Sequence, residues 1–192
     1  MFFIHPAHGG CEVYQDLSEA LEPRYKTFGI DNCFFYQKKS ISCLSDLASY
    51  YIEQIAINNS LSQPMSLCGW SVGGLIALEI AHQLEQQGNH HINVYLLDTI
   101  LRDDYQKEYC LKHDNKLGLT QQLVRLGFDR SLVEQEIEAI NIIHETASFN
   151  LLSYTNIVLF KALLPIFDSK DYDFFRYVTS IYDNNIKKTS KN

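Results

Sequence analysis

The sequence predicts a single α/β domain built on a mostly parallel β-sheet flanked by helices. The chain has 192 residues, close to the ~150 of one ordinary domain. Its hydrophobic fraction of 46% and charged fraction of 20% are those of a globular protein. Short apolar runs alternate along it with amphipathic segments of helical length, which is typical of βαβ units.

The elements follow from the spacing of the apolar residues. Short apolar or β-branched runs predict strands at Phe2–Ile4, Tyr25–Ile30, Met65–Cys68, His91–Leu97 and Asn156–Ala162. Apolar residues at helical spacing predict helices at Val13–Leu21, Leu44–Ile57 and Val72–Leu84. The alternation of these segments predicts strands that run in parallel.

The alternation breaks between residues 101 and 150, which divides the predicted domain 1–192 into four parts. Residues 1–100 form the core, and 101–150 form a charged, helical insertion without strands, with helices predicted at 119–126 and 132–149. Such an insertion can act as a lid over the sheet edge where ligands bind. Residues 151–182 supply a returning strand and a helix at Asp171–Tyr182, capped by Ser169, and 183–192 form a polar tail.

Charge and cysteine content exclude several classes of protein. The net charge of −7 disfavours nucleic acid as a partner, because affinity for phosphates comes largely from Lys and Arg. Five cysteines without a C-x-x-C pair favour reduced thiols and a cytoplasmic location. The start lacks the basic region of a signal peptide, and Lys161 and Pro165 interrupt the longest apolar stretch. The sequence therefore predicts a cytoplasmic protein that does not cross a membrane.

The segment Gly69-Trp70-Ser71-Val72-Gly73 is a G-x-S-x-G motif followed by another glycine, Gly74. An apolar strand precedes it and an amphipathic helix follows it, which is the context of a nucleophile elbow. There, a strained turn projects the hydroxyl group of Ser71 from the top of the sheet. The backbone N–H of Val72, at the start of the helix, would face a developing oxyanion. The alternative interpretation is a glycine-rich structural turn.

Two further segments end strands at the same predicted edge. Asp98 ends the strand after the elbow helix, so it is a candidate for the acid that orients a catalytic base, or else a capping residue. Hydrolases with a nucleophile elbow place the second oxyanion donor in a glycine-containing turn after an early strand. Ala7, in the turn after the first strand, is the candidate for this donor. His5 is expected to be a histidine satisfied by local hydrogen bonds.

Together these motifs resemble the thioesterase domains that end nonribosomal peptide synthetases and polyketide synthases, within the α/β-hydrolase superfamily. The resemblance is dense over residues 1 to about 100 and looser in the lid. Its motifs are the opening strand and oxyanion loop FFIHPAHGGCEVY, the second strand YKTFGID, the helix LSDLASYY, the elbow GWSVGGLIALEIA, the acid segment LLDT and the returning strand IVLFKA.

The resemblance implies a substrate and a partner. The substrate would be an acyl or peptidyl chain, held as a thioester on the phosphopantetheine arm of a carrier domain or carrier protein. Ser71 would accept the chain as an ester, Asp98 would be the acid, and water or an internal nucleophile would release the product. No metal and no cofactor of the chain's own is implied.

The sequence departs from the family at the catalytic histidine. The family places it near the C-terminus, beyond the last helix, whereas the last of the seven histidines here is His144, in the predicted lid. His8 is the one histidine near the predicted site and the candidate for a substitute base. With Ser71 and Asp98 alone, turnover is expected to be impaired. Two alternatives stay open: a carrier-binding remnant without catalysis, and a hydrolase of small soluble esters.

Overall fold

The computed structural model contains a parallel sheet of five strands in its described residues. The described residues are 1–7, 10–33, 42–57, 59–104, 107–108, 120–121, 124–125, 127, 129–148, 150–162 and 185–189. The strands are β1 (Phe2–Ile4), β2 (Phe28–Ile30), β3 (Met65–Trp70), β4 (Ile92–Leu97) and β5 (Asn156–Phe160). Their order is β2-β1-β3-β4-β5, and every pair is parallel. The predicted α/β fold with a parallel sheet is confirmed.

Helices cover both faces of this sheet. Their bounds are α1 (Gln15–Leu21), α2 (Leu44–Ala56), α3 (Val72–Gln86) and α4 (Arg130–Thr146), with a 3₁₀ turn at Cys11–Tyr14 before α1. On one face, apolar residues of α2 and α3 pack with Ile4, Leu67 and Leu96 in the main core. On the other face, a smaller cluster of Phe3, Tyr14 and Cys68 lies under the 3₁₀ turn. Each βα connection therefore places a layer of helix on the sheet, as short parallel strands require.

Most element boundaries differ from the predicted ones by a few residues. The strand predicted from Tyr25 begins only at Phe28, because the N–H groups of Arg24 and Tyr25 both donate to the carbonyl oxygen of Leu21 and close the end of α1. Strand β3 continues past Cys68 to Trp70, since Gly69 and Trp70 still pair with β4. The helix predicted at 171–182 lies outside the described residues.

The predicted lid contains α4, which is attached to the body of the domain. The side chain of Asp129 caps this helix by accepting from the N–H groups of Ser131 (2.9 Å) and Leu132 (3.1 Å). At the other end, Ile143 and Ala147 belong to the main core. Within the described residues, α4 thus contacts that core from Ile140 onward, whereas the buried Val133 and Ile137 lie outside it. None of the helices within the described ranges is long and apolar enough to cross a membrane.

Candidate active site

Ser71 occupies a strained turn between β3 and α3. Its backbone has φ 53° and ψ −118°, a conformation that residues other than glycine rarely adopt. Its N–H donates to the carbonyl oxygen of Leu97 (2.9 Å), and its own carbonyl accepts from the hydroxyl group of Thr99 (3.1 Å). Neighbouring residues thus hold the strained backbone on both sides. The strand–turn–helix geometry predicted for the elbow is present.

The glycines of the motif are required by close backbone contacts. A Cβ atom on Gly69 would overlap the backbone of the first turn of α3, and one on Gly74 would overlap the side chain of Thr99. A Cβ atom on Gly73 would lie 2.6 Å from the carbonyl oxygens of both Ile4 and His5. Because backbone atoms cannot move aside cheaply, these positions let α3 pack directly against β1 and the segment after β4.

Asp98 leaves the sheet beside Ser71. Trp70 and Leu97 are paired residues on neighbouring strands, and Ser71 and Asp98 are the residues that follow them. The N–H of Asp98 donates to the carbonyl oxygen of Phe160 (2.7 Å), and its carboxylate oxygen Oδ1 accepts from the N–H of Ala162 (3.1 Å). The predicted nucleophile and the predicted acid therefore lie on adjacent strand ends at one edge of the sheet.

The two candidate oxyanion donors lie at the same edge. Val72 is the first residue of α3, so its N–H has no partner within the helix and lies at the positive end of the helix dipole. Ala7 follows β1, which pairs with β3 at Ile4 and Gly69, and its side chain packs against the main core. The fold thus brings Ala7, Ser71, Val72 and Asp98 to the carboxyl edge of three neighbouring strands. Donors and a nucleophile in this arrangement are suited to acyl transfer.

His5 is a structural residue rather than a base. Its Nδ1–H donates to the carbonyl oxygen of Pro6 (2.7 Å), and its Nε2 accepts from the hydroxyl group of Tyr51 (2.8 Å). Burial lowers the pKa of His5 to about 4, although the Pro6 hydrogen bond and the charge of Asp31 oppose the shift. Both ring nitrogens are occupied, so the expectation of a locally satisfied histidine is confirmed.

Three other described histidines, His82, His90 and His91, lie away from Ser71. His82 is eleven residues along α3, about 16 Å at 1.5 Å per residue. His90 and His91 precede β4 at the opposite edge of the sheet. Burial, with the charges of Arg102 and Lys107, lowers the pKa of His144 to about 3.

Among the described residues, no histidine forms a hydrogen bond with Ser71 or Asp98. His8, the candidate substitute base, and His113 lie outside the described residues.

Two residues that support the elbow were missed by the sequence analysis. The hydroxyl group of Tyr14 accepts from the N–H of Trp70 (2.8 Å) and donates to the carbonyl oxygen of Ile4 (2.8 Å). Thr99 holds the carbonyl group of Ser71. Each contact joins residues at least ten positions apart, so no local pattern indicates it. Tyr14 and Thr99 become apparent only when the strands are assembled.

Comparison with known proteins assigns this chain to a family. A family model described as a thioesterase domain matches residues 1–154. The nonribosomal peptide synthetase agiA of Aspergillus flavus is 33% identical over 107 residues, which are 55% of this chain and 1% of that protein. The N-(5-amino-5-carboxypentanoyl)-L-cysteinyl-D-valine synthase of Amycolatopsis lactamdurans is 27% identical over 169 residues, 86% of this chain and 4% of that protein. The chain thus spans a small fraction of these curated relatives.

A solved structure supports the same assignment at the level of the fold. The NocB thioesterase domain, in covalent complex with a fluorophosphonate nocardicin G analog, superimposes with a TM-score of 0.73 at 22% identity. The superposition covers 98% of this chain and 80% of that one. The thioesterase model matches from the first strand through Tyr154 and so includes the elbow and Asp98. On that match, the chain belongs to the thioesterase domain family.

Proposed function

We propose that this domain is a serine thioesterase that releases an acyl or peptidyl chain from the phosphopantetheine thioester of a carrier domain or carrier protein. The observation that carries the proposal is the backbone of Ser71, strained at φ 53° between β3 and α3. A fold retains such strain where the surrounding structure maintains it, commonly at functional sites. The names of the synthetase relatives support a carrier-bound substrate.

The proposed reaction has two steps at Ser71. Its Oγ attacks the thioester carbonyl, the C–S bond breaks, and the thiol of the arm leaves with a proton. Water or a nucleophile within the chain then attacks the ester, and the Ser71 oxygen regains a proton as the acid or ring departs. The N–H groups of Ala7 and Val72 would stabilise the oxyanion formed in each step. Neither step calls for a metal or for a cofactor belonging to this domain.

Proton transfer is the weak part of the proposed site. Asp98 accepts the N–H of Ala162, both ring nitrogens of His5 are occupied, and no described histidine is hydrogen-bonded to Ser71 or Asp98. Loss of the histidine base alone lowers kcat of triad enzymes by on the order of 10⁴ to 10⁶. We therefore expect residues 1–192 to acylate slowly and turn over poorly unless His8 substitutes as the base.

Active-site labelling tests the nucleophile. A fluorophosphonate probe should modify Ser71, as located by peptide mass spectrometry, and the Ser71→Ala variant should not be labelled. Ser66→Ala is the matched control, because Ser66 lies near the opposite end of the same strand. This variant should be labelled at Ser71 as readily as the parent. Labelling that persists in Ser71→Ala would overturn the assignment. Ser71→Cys should react faster with thiol-directed acylating reagents, since a thiol is a few per cent ionised at neutral pH.

Binding without turnover is a second candidate function. The observation that favours it is the same lack, among the described residues, of a histidine bonded to Asp98. Steady-state hydrolysis of an acyl-carrier thioester distinguishes the two, with calorimetric binding of the unhydrolysable amide analogue of that carrier as the parallel measurement. Turnover near one per second, a typical enzyme rate, would establish a complete site, and loss on His8→Ala would identify the base. Binding with no turnover would favour the second function, whereas rapid hydrolysis of p-nitrophenyl acetate alone would favour a small-ester hydrolase.

A further inference from the structure

The side chain of Tyr14 joins the two segments that supply the candidate oxyanion donors. Its hydroxyl group donates to the carbonyl oxygen of Ile4, three residues before Ala7, and accepts from the N–H of Trp70, two residues before Val72. Both distances are 2.8 Å, within the range of good hydrogen bonds. One buried hydroxyl group therefore connects the ends of β1 and β3.

The Tyr14 hydroxyl group lies at the point where β1 and β3 stop pairing. Ile4 and Gly69 are the last residues in register, and beyond them β1 continues into the loop with Ala7 while β3 enters the turn with Ser71. At the same carbonyl oxygen of Ile4, Gly73 of α3 packs so closely that a Cβ atom would lie 2.6 Å away. The separation of the loop and the elbow is thus determined at Ile4, and Tyr14 is the side chain that bonds to it.

The surroundings of Tyr14 hold its hydroxyl group in place. Its ring stacks on Phe3 with centroids 4.8 Å apart, and the side chain is 3% exposed. Burial raises the pKa of Tyr14, although the Trp70 hydrogen bond opposes the shift. The hydroxyl group is therefore protonated at neutral pH, as donation to Ile4 requires.

We propose that Tyr14 is a positioning residue that sets the distance between the N–H groups of Ala7 and Val72, and so the geometry of the oxyanion hole. This inference rests on the proposed function of that edge. Tyr14 does not touch the substrate and acts only through the two backbone segments. Catalytic geometries tolerate errors of about 0.5 Å, so a small change in this separation should slow formation of a tetrahedral adduct without weakening binding of the probe.

The first test is the kinetics of fluorophosphonate labelling with Tyr14→Phe. In this reaction the Ser71 Oγ–P bond forms, the P–F bond breaks, and fluoride and a proton are released. We expect the maximal labelling rate constant to fall about tenfold while the half-saturating probe concentration changes less than twofold; removal of a whole donor costs about 10²–10³. Tyr95→Phe is the matched control, because the Tyr95 side chain packs against the same cluster and its hydroxyl group forms no hydrogen bond with any described residue.

A purely structural role for Tyr14 would give a different result. Leu21→Ala should lower the melting temperature through the same cluster while keeping the Phe3–Tyr14 stacking and both hydrogen bonds of Tyr14, so its labelling rate constant should stay near the parent value. Equal losses in Tyr14→Phe and Leu21→Ala would overturn the proposal, as would an unchanged rate in Tyr14→Phe. If Tyr14→Phe does not fold, 3-fluorotyrosine at position 14, a weaker acceptor for the N–H of Trp70, should lower the rate constant two- to threefold, and an unchanged rate would overturn the proposal.

A crystal structure of Tyr14→Phe tests the inference without any labelling. The Ala7 N to Val72 N distance should change by about 0.5 Å or more relative to the parent. An unchanged distance would overturn the role of Tyr14, even if Ser71 proves to be the nucleophile. Conversely, a changed distance in a protein whose Ser71 never labels would support the positioning role while the proposed function fails.

Discussion

The carboxylate of Glu85 fixes the entry to β5, and Glu85→Gln should destabilise the domain. Glu85 lies in the last turn of α3 and is 8% exposed. Its Oε1 accepts from the N–H of Tyr154 (2.9 Å) and from both the N–H and the hydroxyl group of Thr155 (2.7 Å each), and its Oε2 accepts from the N–H of Ser153 (2.9 Å). Four donors therefore converge on one side chain immediately before the strand.

The magnitude follows from the number of donors and the charge of the acceptor. Hydrogen bonds to charged groups contribute about 1.5–3 kcal/mol each, against about 0.5–1.5 for neutral pairs. A glutamine of the same shape can keep the three bonds at one oxygen, weakened by loss of charge, but turns an NH₂ group toward the N–H of Ser153. We expect the free energy of unfolding to fall by about 2–4 kcal/mol, or a melting temperature roughly 4–16 °C lower.

Urea denaturation at pH 7 measures this loss, with Glu134→Gln as the control. Glu134 lies 3.3 Å from Arg130 on the surface of α4 with 57% of its side chain exposed, so its loss should cost under about 0.5 kcal/mol. Burial alone would raise the pKa of Glu85, but the hydrogen bonds outweigh it and hold the pKa below the ordinary value of 4.5. The charge of Glu85 therefore stabilises the fold above pH 4.5, and this contribution is lost as the pH falls through the folded-state pKa.

Two results would refute this account of Glu85. A Glu85→Gln variant as stable as Glu134→Gln at pH 7 would show that the four contacts do not stabilise the fold. A stability difference between parent and Glu85→Gln that grows below pH 4.5, rather than shrinking, would show that the carboxylate is not held in its charged form.

Three further predictions concern the backbone, acid stability and α4. Gly73→Ala should abolish fluorophosphonate labelling or folding, because its Cβ atom meets two backbone oxygens at 2.6 Å; Gly69→Ala should do the same, and full labelling in either would contradict the packing at the elbow. His5 takes up a proton near pH 6.5 in the unfolded state but only near pH 4 in the folded state. As the pH is lowered from 6.5 to 4, the free energy of unfolding should therefore decrease, by about 3 kcal/mol from this residue. A parent and His5→Gln with the same pH slope in urea denaturation would refute that contribution. Amide hydrogen exchange should be faster in α4 than in β3. Within α4 it should be faster at the Asp129 end than near Ile143, which lies in the main core. Protection along the whole of α4 equal to that of β3 would argue against a lid.

The sequence predicted the central part of the fold because local chemistry and long-range packing agree there. The residues before Ser71 form a buried strand, and the apolar run after it forms a central helix that is buried at every position from Val72 to Ala81. The positions of Ala7 and Asp98 followed from a single geometric rule, that the carboxyl ends of parallel strands meet at one edge. The core strands needed no more information than this.

The remaining features depend on contacts that no local pattern contains. Strand β2 is shorter than its apolar run because the carbonyl oxygen of Leu21 captures two N–H groups of the connecting turn. Glu85 follows the end of the predicted helix Val72–Leu84 in a polar segment of the sequence, yet its hydrogen-bond partners lie about 70 positions away. Tyr14 is separated from Trp70 by 56 positions. Buried polar groups satisfied across the fold are therefore what sequence analysis misses here.

Catalysis at this site has two requirements, a nucleophile with its oxyanion donors and a base, and they depend on different parts of the structure. The nucleophile and the oxyanion donors depend on β1 and β3, which are interior strands of the sheet, and on α3, which packs on them. Tyr14, Thr99 and close glycine packing hold these elements together. A base must instead reach both Ser71 and Asp98, and no described histidine is bonded to either. Fluorophosphonate labelling removes the Ser71 proton once, whereas thioester hydrolysis needs proton transfer in both of its steps. Slow labelling of Ser71 with thioester turnover far below that of a complete thioesterase is therefore the result expected without a base, and turnover near that of a complete thioesterase would mean that a histidine such as His8 fills the role.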